Sequence, residues 1–468
     1  MREEASTVTN KTYDLMVIGG GPAGYVAAIR AAQLGLQTAV LEREHLGGTC
    51  LNVGCIPTKT LFQSAEVANT IRDSGKYGIQ SALSGVDFSA VIQRKNGVVK
   101  QLVNGVGYLL KKNKVDVILG EAKLLSAKQV KDTKSGMVYQ TKNILIATGS
   151  SNAVPPIPGL KGERVIDSTD LLSLQDMPKS LAVIGGGVIG CEFASILNAF
   201  GCQVTVIEML PHLLGNMDSA LAEATAKQFA KEHIRVELGA KVKSVGDQGG
   251  QKVVTYEKNG AEGTVTAEYV LVSTGRKANS AGLGCEELGI RMDRGFIQVD
   301  SHMRTSVSGI YAAGDITGQG MLAHTAFEGG TVAVENIAGG NRELNLNAVP
   351  KVVFVDNEVA SVGMTEEEAR AAGHDVLVGN FNLVGNGKSL AMGKNEGFVK
   401  IVSEKKDHAI LGMHMEGPCA AELVTVGTQL IASELLLEDV ECTIYPHPAV
   451  AEAIREACLD ALGRAIHA

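Results

Sequence analysis

The sequence predicts an α/β protein with two Rossmann-like dinucleotide-binding domains and a C-terminal α+β interface domain. Three observations support this fold class. The pattern strand, Gly-x-Gly-x-x-Gly, helix occurs twice. Each glycine pattern is followed later by a strand that ends in a Thr-Gly turn. From about Val349 the glycine pattern is absent, and short alternating strands followed by helical segments replace it.

The first dinucleotide-binding unit begins with Tyr13–Ile18, an apolar run typical of a buried parallel strand. Tyr25–Leu34 is Ala-rich and predicts a helix, and Thr38–Glu42 predicts the next strand. Between strand and helix lie the three fingerprint glycines, Gly19, Gly21 and Gly24. Glycine lets a pyrophosphate approach the backbone at a helix N-terminus. The Glu42 carboxylate is then expected to accept hydrogen bonds from ribose hydroxyls.

The second unit repeats this order with the strand Ser180–Ile184, the helix Glu192–Phe200 and the strand Val204–Glu208. Its fingerprint glycines are Gly185, Gly187 and Gly190. An acid at the position of Glu208 binds a ribose 2′-hydroxyl and repels a 2′-phosphate. The second unit is therefore expected to prefer NAD to NADP.

Segments after each unit supply further cofactor contacts. Asn143–Ser150 and Tyr269–Arg276 are predicted strands that run into Thr-Gly turns, and three residues there are assigned to cofactor binding: Thr148, Gly149 and Gly275. The Pro-rich stretch Ser150–Gly159 predicts a linker. In Gly309–Gly318 a strand ends at Asp315, whose carboxylate is placed to bind a ribityl chain or the phosphate region of a cofactor.

The C-terminal part is predicted to be an antiparallel sheet with helices covering it, and because it lacks a glycine fingerprint it is expected to be an interface or substrate domain. The predicted strands lie in VVFVDNEVASVGMT, FVKIVSE and AILGMHMEG, and the predicted helices are Ala420–Leu436 and Ala449–Ala465.

Two cysteines carry the most specific chemical signal. Cys50 and Cys55 lie in GGTCLNVGCIPTK, shortly after the first fingerprint. Residues five apart on an ideal helix are roughly 8–9 Å apart at Cα, whereas a disulfide needs about 4.4–6.8 Å. A distorted turn is therefore required, and Gly54 is one of the residues that permit it. A redox pair near a flavin or nicotinamide fits this position better than a structural staple.

Bulk properties exclude several classes. The chain has 468 residues, 45% hydrophobic and 20% charged, with a net charge of −8 and a pI of about 5.8. An acidic chain is not expected to bind nucleic acid. Neither a signal or transit peptide nor an apolar run long enough to cross a bilayer is recognised, so a cytoplasmic protein without membrane contact is expected. The remaining cysteines lack metal-ligand spacing, so no metal is expected and they are interpreted as packing residues: Cys191, Cys202, Cys285, Cys419, Cys442 and Cys458.

A candidate base lies near the C-terminus. Two prolines flank His447 in YPHPAVAE, and Glu452 follows within the first turns of a helix. A carboxylate beside one ring nitrogen orients an imidazole and leaves the other nitrogen to take a proton from a thiol. Lys59, in IPTK, is placed to tune a flavin or to pair with an acid.

These motifs resemble the flavin-dependent pyridine nucleotide disulfide oxidoreductases, and GGTCLNVGCIPTK is similar to the lipoamide-type branch. TSVSGIYAAGDITG, LAMGKNEGFVKIV and HPAVAEA extend the likeness over nearly the whole chain. The resemblance implies four domains. They are an FAD-binding domain (1–149), an NAD-binding domain (150–275), a central domain that completes the FAD site (276–347) and an interface or dimerisation domain (348–468).

The resemblance also implies roles for single residues. Cys50 is the interchange thiol and Cys55 the charge-transfer thiol, while Lys59 lies near the flavin and pairs with Glu192. His447 and its partner Glu452 reach the cysteines of the other subunit of a homodimer. The remaining assignments are to FAD (Gly19, Gly21, Gly24, Glu42, Lys59, Thr148, Gly149 and Asp315) and to NAD (Gly185, Gly187, Gly190, Glu208 and Gly275).

The implied reaction is oxidation of protein-bound dihydrolipoyl groups with reduction of NAD⁺. The implied partners are a lipoyl-bearing protein and the acyltransferase core of a 2-oxo acid dehydrogenase complex, or a glycine cleavage system. Two alternatives are a sister reductase acting on glutathione or a metal ion, and a flavin-bearing assembly subunit. The chain departs from the family pattern at Ala449 and Ala451, where hydroxyl residues are usual, and at Asn357, where proline is common.

Overall fold

The computed structural model describes residues 8–467, with side chains from residue 11 onward. The α-helices are α1 (Pro22–Gln33), α2 (Gly48–Val53), α3 (Cys55–Asp73), α4 (Phe88–Lys112), α5 (Ser168–Leu171), α6 (Val188–Ala199), α7 (Ser219–Lys231), α8 (Ala323–Ile337), α9 (Glu366–Ala371), α10 (Gly387–Ala391), α11 (Ala420–Ala432), α12 (Leu437–Glu441) and α13 (Glu452–Ala461).

The strands are β1 (Val8–Ile18), β2 (Thr38–Glu42), β3 (Asp116–Leu119), β4 (Ala122–Ser126), β5 (Gln129–Asp132), β6 (Val138–Ile146), β7 (Ser150–Asn152), β8 (Val165–Ile166), β9 (Ser180–Ile184), β10 (Gln203–Ile207), β11 (Arg235–Glu237), β12 (Lys241–Gln248), β13 (Gln251–Lys258), β14 (Ala261–Ala267), β15 (Tyr269–Val272), β16 (Arg276–Ala278), β17 (Met292–Asp293), β18 (Phe296–Ile297), β19 (Ile310–Ala312), β20 (Lys351–Val353), β21 (Val359–Gly363), β22 (Val376–Asn382), β23 (Phe398–Glu404) and β24 (Ile410–Glu416).

The chain divides into two compact units, the first covering residues 8–60, 93–153 and 275–346 of the described part. Its main sheet has the order β3-β2-β1-β6-β5-β4, with β19 also paired to β6. The pairs β1–β2, β1–β6, β2–β3 and β6–β19 are parallel. Ile18 of β1 is in register with Ile146 of β6, so the turns after both strands open at the same edge of the sheet. Ligands bind at that carboxyl edge in doubly wound folds.

Small residues allow the helices of this unit to pack closely. Gly21 is the extended N-cap of α1, Pro22 starts the helix, and Ala27 and Ala28 on its buried face are fully excluded from solvent. A Cβ placed on Gly330 of α8 would lie 2.5 Å from the carbonyl oxygen of Ala23. Because glycine has no Cβ, α8 can pack directly against α1.

The predicted linker Ser150–Gly159 is wrong in its first residues. β7 (Ser150–Asn152) pairs antiparallel with β16, with Asn152 opposite Arg276. The pairing partner lies far along the chain, so the local composition of the segment did not indicate it.

The second unit covers residues 61–92, 154–274 and 347–467. It contains a parallel sheet of order β11-β10-β9-β15-β8 and an antiparallel sheet β12-β13-β14. A second antiparallel sheet has the order β20-β21-β24-β23-β22. Helices α11 and α13 pack on the last sheet, as predicted. The sequence missed β22, and α13 begins at Glu452 and not at Ala449.

A buried ionic cluster joins elements of the second unit. Asp218 is the N-cap of α7, is fully excluded from solvent, and accepts hydrogen bonds from Lys400 Nζ of β23 at 3.0 and 3.1 Å. Lys400 also lies 2.9 Å from Glu366 of α9, and His414 of β24 lies 3.9 Å from Asp218. The four charged or titratable side chains thus tie α7 to the C-terminal sheet.

No helix within residues 8–467 is long and apolar enough to span a bilayer.

Candidate active site

The two cysteines lie on two consecutive helices that are separated by a break in the helical backbone. Cys50 is in α2 and Cys55 is the first residue of α3. Between them Gly54 has φ −139° and ψ −115°, and a Cβ on it would lie 2.9 Å from the carbonyl oxygen of Thr49. The predicted distorted turn is confirmed, and it is what brings the two sulfurs together.

Both cysteines are thiols in this structure, and each is partly buried. The hydrogen bond that Cys50 donates to the Cys55 sulfur, followed by burial, raises the pKa of Cys50 above its ordinary value, while nearby Lys59 acts in the opposite direction. The two sulfurs therefore share one hydrogen bond, in which Cys50 is the donor and the Cys55 sulfur is the acceptor.

Helix α2, which carries Cys50, begins in contact with the first glycine fingerprint. Gly47 and Gly48 have φ of +86° and +54°, values that favour glycine, and a Cβ on Gly48 would lie 2.6 Å from Cα of Gly21. A Cβ on Gly24 would lie 1.8 Å from the carbonyl oxygen of Gly19. The glycines therefore bring the N-termini of α1 and α2 together, which places the dithiol next to the predicted pyrophosphate loop.

The two fingerprint acids make matching contacts. Glu42 Oε2 accepts the N–H of Gly20 at 2.6 Å, and Oε1 accepts the N–H of Glu44 at 2.7 Å. Glu208 Oε2 accepts the N–H of Gly186 at 2.6 Å, and Oε1 accepts the N–H two residues further on, Leu210, at 2.7 Å. A carboxylate has about four lone-pair sites. Each acid thus holds its glycine loop and keeps acceptor capacity for ribose hydroxyls.

Asp315 is held by residues that sequence reasoning missed. Ser150 Oγ donates to Asp315 Oδ2, and Arg276 Nε lies 3.6 Å from the same oxygen. Arg276 also donates to the Ser150 carbonyl and to Asn152. The only sequence signal was the position of Arg276 directly after a Thr-Gly turn.

Two buried hydroxyls of the first unit fit a cofactor with polar groups. Thr148 Oγ1 and Thr325 Oγ1 have no hydrogen-bond partner among the described residues. Buried polar atoms in native proteins are almost always paired. Thr148 and Gly149 follow β6 at the carboxyl edge of the sheet, and Thr325 is in the first turn of α8. These residues therefore fit a bound dinucleotide, whose polar atoms would satisfy the two hydroxyls.

The second fingerprint has the same backbone form. Gly185 has φ +110°, and a Cβ on Gly190 would lie 2.0 Å from the carbonyl oxygen of Gly185. Gly187 is the extended N-cap of α6, and a Cβ on it would meet nothing within 4 Å. The space before α6 is thus open to a pyrophosphate. Gly275, with φ +125°, directly precedes β16 in the first unit, and its carbonyl accepts the N–H of Ala153.

The predicted base and its partner are hydrogen-bonded. His447 Nδ1 lies 2.9 Å from Glu452 Oε1, and Ala449 N–H donates to Glu452 Oε2 at 2.9 Å. Burial opposes ionisation of Glu452, yet these two hydrogen bonds outweigh it and lower the pKa of the carboxyl. The backbone N–H of Ala449 thus holds the second oxygen of Glu452 while the first contacts His447.

The His447 side chain is 79% exposed, so the free ring nitrogen is accessible. Both members of the pair belong to the second unit, whereas Cys50 and Cys55 belong to the first.

Glu192 lies on α6 with 4% of its surface exposed, and its Oε1 accepts the N–H of Phe354 at 3.1 Å. Lys59 lies one turn after Cys55 on α3.

The interpretation of the other cysteines as packing residues is wrong for two of them. Cys191, Cys202, Cys285 and Cys458 are buried, but Cys419 and Cys442, the cap residues at the start of α11 and the end of α12, are exposed. Among residues 8–467, no group of three or more His, Cys, Asp or Glu side chains is arranged to hold a metal ion.

Comparison with known families decides the membership of the chain. Residues 13–330 match the model of pyridine nucleotide-disulphide oxidoreductases, and residues 349–458 match the dimerisation domain of the same family. The chain belongs to the pyridine nucleotide-disulphide oxidoreductase family. The predicted family and fold class are both confirmed, and the matched dimerisation domain supports a homodimer.

Curated relatives and solved structures of the family agree. The chain is 41% identical to a dihydrolipoyl dehydrogenase of Bacillus subtilis, covering 97% of this chain and 99% of the relative. It is 42% identical to that of Chlamydia muridarum, over 98% of both chains. Among solved structures, LpdA from Mycobacterium tuberculosis has a TM-score of 0.87 at 28% identity over 95% of this chain and 98% of LpdA. The flavoprotein disulfide reductase RclA from Escherichia coli has a TM-score of 0.85 at 29% identity over 95% and 99%.

Proposed function

We propose that this oxidoreductase is a dihydrolipoyl dehydrogenase, which oxidises protein-bound dihydrolipoyl groups and reduces NAD⁺ to NADH. The observation that carries the proposal is the hydrogen-bonded pair Cys50–Cys55, in which Cys50 lies on the helix α2 that begins against the first glycine loop. Relatives at about 40% identity over nearly the full length bear that name, which supports the same substrate class.

In the proposed reaction, the enzyme begins with Cys50 and Cys55 joined as a disulfide. A substrate thiolate attacks the Cys50 sulfur, the Cys50–Cys55 bond breaks, and Cys55 leaves as a thiolate. The second substrate thiolate then attacks the substrate sulfur that is bonded to Cys50, which forms the cyclic disulfide and releases Cys50 as a thiolate. Two electrons have then moved from the substrate dithiol to the cysteine pair, and the substrate is a cyclic disulfide.

His447 is proposed as the base for this exchange. Thiols have an ordinary pKa of about 8.5 and react as thiolates. His447 takes a substrate proton on its exposed ring nitrogen, while Glu452 holds the other nitrogen at 2.9 Å. We propose that this pair lies beside the cysteines of the partner subunit, so that the homodimer is the active form; the match to the dimerisation domain supports the homodimer.

The contacts described above support the proposed cofactor sites. Bound FAD and NAD⁺ supply the passage of the electron pair from the reduced cysteines to the nicotinamide. The residues proposed to hold FAD are Gly19, Gly21, Gly24, Glu42, Lys59, Thr148, Gly149 and Asp315, to which the structure adds Ser150 and Arg276 as supports of Asp315. The residues proposed to hold NAD are Gly185, Gly187, Gly190, Glu208 and Gly275.

The proposed partners are a lipoyl-bearing protein and the acyltransferase core of a 2-oxo acid dehydrogenase complex. The proposed location is the cytoplasm.

Steady-state turnover tests the proposal directly. Dihydrolipoamide, glutathione and other thiols are compared, each with NAD and with NADP. We expect turnover with dihydrolipoamide and NAD⁺ to exceed the other combinations at least tenfold. Preferential turnover of glutathione or reduction of a metal ion with NADPH would instead assign the chain to a sister reductase.

A further inference from the structure

The turn that carries His447 is largely exposed. The His447 side chain is 79% exposed, and Ile444 on the same turn is 96% exposed. Tyr445 and the buried Val450 pack against the apolar core of the C-terminal sheet, one on each side of His447. The position of the imidazole relative to Glu452 therefore depends on a few contacts at the two ends of the turn.

One of these contacts holds the backbone of Ala449 from a distant segment. The Ala449 N–H donates to Glu452 Oε2 at 2.9 Å, and the Ala449 carbonyl accepts a hydrogen bond from Asn386 Nδ2 at 3.0 Å. The first contact involves the same carboxylate that holds His447 Nδ1. The second ties the turn to the start of α10, which lies in the same unit.

The Asn386 side chain is itself fixed in one orientation. It is 4% exposed and is the N-cap of α10. Its Oδ1 accepts the N–H of Ser389 at 2.9 Å and the Ser389 hydroxyl at 3.1 Å, and Ser389 is fully excluded from solvent. An amide has one acceptor oxygen and one donor NH₂ group. Because the oxygen faces two donors, the NH₂ group is the one that faces the Ala449 carbonyl.

We propose that Asn386 is a positioning residue for the base His447. By holding Ala449, it fixes the turn against α13, so that Glu452 holds one ring nitrogen and the other stays free for a substrate thiol. This proposal rests on the proposed function, because it assumes that His447 takes a proton from that thiol.

A displaced base has a signature that distinguishes it from lost stability. Thiols react as thiolates, and below their ordinary pKa of about 8.5 they need a base. Above that pH the substrate is already ionised, so the defect of a variant with a displaced base shrinks as the pH rises. A smaller folded fraction would instead lower turnover by the same factor at every pH.

Two variants remove the contact in different ways. Asn386→Ser keeps an oxygen that can cap α10 at the Ser389 N–H, but it is too short to reach the Ala449 carbonyl. Asn386→Asp keeps the shape and replaces the donor with an acceptor. The matched control is Thr365→Ala, which removes another buried N-cap of the second unit; Thr365 is 6% exposed and accepts the Glu368 N–H at 3.1 Å.

The holoenzymes are compared by three measurements. The first is kcat/KM for dihydrolipoamide between pH 6.5 and 9.5. The second is reduction of ferricyanide by NADH, which requires the flavin but no thiol exchange. The third is amide hydrogen exchange of residues 445–452, followed by mass spectrometry.

We expect kcat/KM at pH 7 to fall about tenfold in Asn386→Ser and further in Asn386→Asp, because a displacement of about 1 Å can cost a catalytic group about 100-fold. The defect should shrink to less than about threefold at pH 9.5. Residues 445–452 should exchange faster in both variants. Ferricyanide reduction should stay at the wild-type rate, and Thr365→Ala should show neither the pH-dependent defect nor the faster exchange.

A defect of equal size at every pH, or exchange of residues 445–452 at the wild-type rate in both Asn386 variants, would overturn the proposal. If the wild-type protein does not turn over dihydrolipoamide, the proposed function fails. The exchange rates then still decide whether Asn386 holds the turn.

Discussion

Replacement of Lys400 by methionine should destabilise the second unit strongly. Lys400 is 7% exposed and its ammonium contacts Asp218 and Glu366. Methionine keeps the apolar stem but leaves the Asp218 carboxylate buried without its cation. Breaking one partner of a buried ion pair costs about 3–5 kcal/mol. The lower end of this range applies here, because Asp218 keeps hydrogen bonds from the N–H groups of Ala220 and Glu366.

The assay is urea unfolding at pH 7, followed by far-UV circular dichroism, with Lys227→Met as the matched control. Lys227 and Glu223 form an exposed pair one turn apart on α7, 4.0 Å between charged atoms. Loss of such a pair costs at most about 0.5 kcal/mol. We expect the free energy of unfolding to fall by about 3 kcal/mol in Lys400→Met. Equal stability of the two variants would refute the reasoning.

Three further predictions follow from named contacts. Glu208→Arg should remove the acceptor for the Gly186 and Leu210 N–H groups and reverse at least part of the NAD preference, measured as the ratio of kcat/KM for NAD and NADP; an unchanged ratio contradicts the assignment. Gly24→Ala should prevent FAD retention, measured by flavin absorbance after purification, whereas Gly105→Ala on α4, whose Cβ meets nothing within 4 Å, should retain it. Burial opposes ionisation of Asp218, but His414 and Lys400 outweigh it and lower the pKa of this carboxyl. The stabilising effect of the ionised carboxylate is therefore present above about pH 4 and is lost as the pH falls through the lowered pKa. The difference in unfolding free energy between wild type and Asp218→Asn should shrink in acid, and a constant difference would exclude this origin.

Local patterns were sufficient to predict the elements that carry the site. The strands Thr38–Glu42 and Ser180–Ile184 have the predicted bounds, because each is a short and largely apolar run with polar residues or glycine on either side. The break at Gly54 was also predictable, since two thiols five residues apart cannot approach on a regular helix. In both cases the controlling interactions lie within a few residues.

Contacts between distant segments were not predictable from local patterns. The sequence shows neither that Ser150 and Arg276 support Asp315, nor that Lys400 neutralises Asp218. These partners meet only after the sheets have formed, and polar residues on strands otherwise suggest solvent exposure. The same holds for Glu192, whose carboxylate contacts the backbone of Phe354.

The central claim is that Cys50 and Cys55 pass electrons from a dithiol to bound flavin. Anaerobic addition of dihydrolipoamide to the purified holoenzyme tests it most directly, with absorbance recorded at long wavelength. We expect a thiolate-to-flavin charge-transfer band in the wild type and none in Cys55→Ser. A holoenzyme that shows no such band, or a Cys50→Ser/Cys55→Ser variant that keeps full turnover with NAD⁺, would contradict the account.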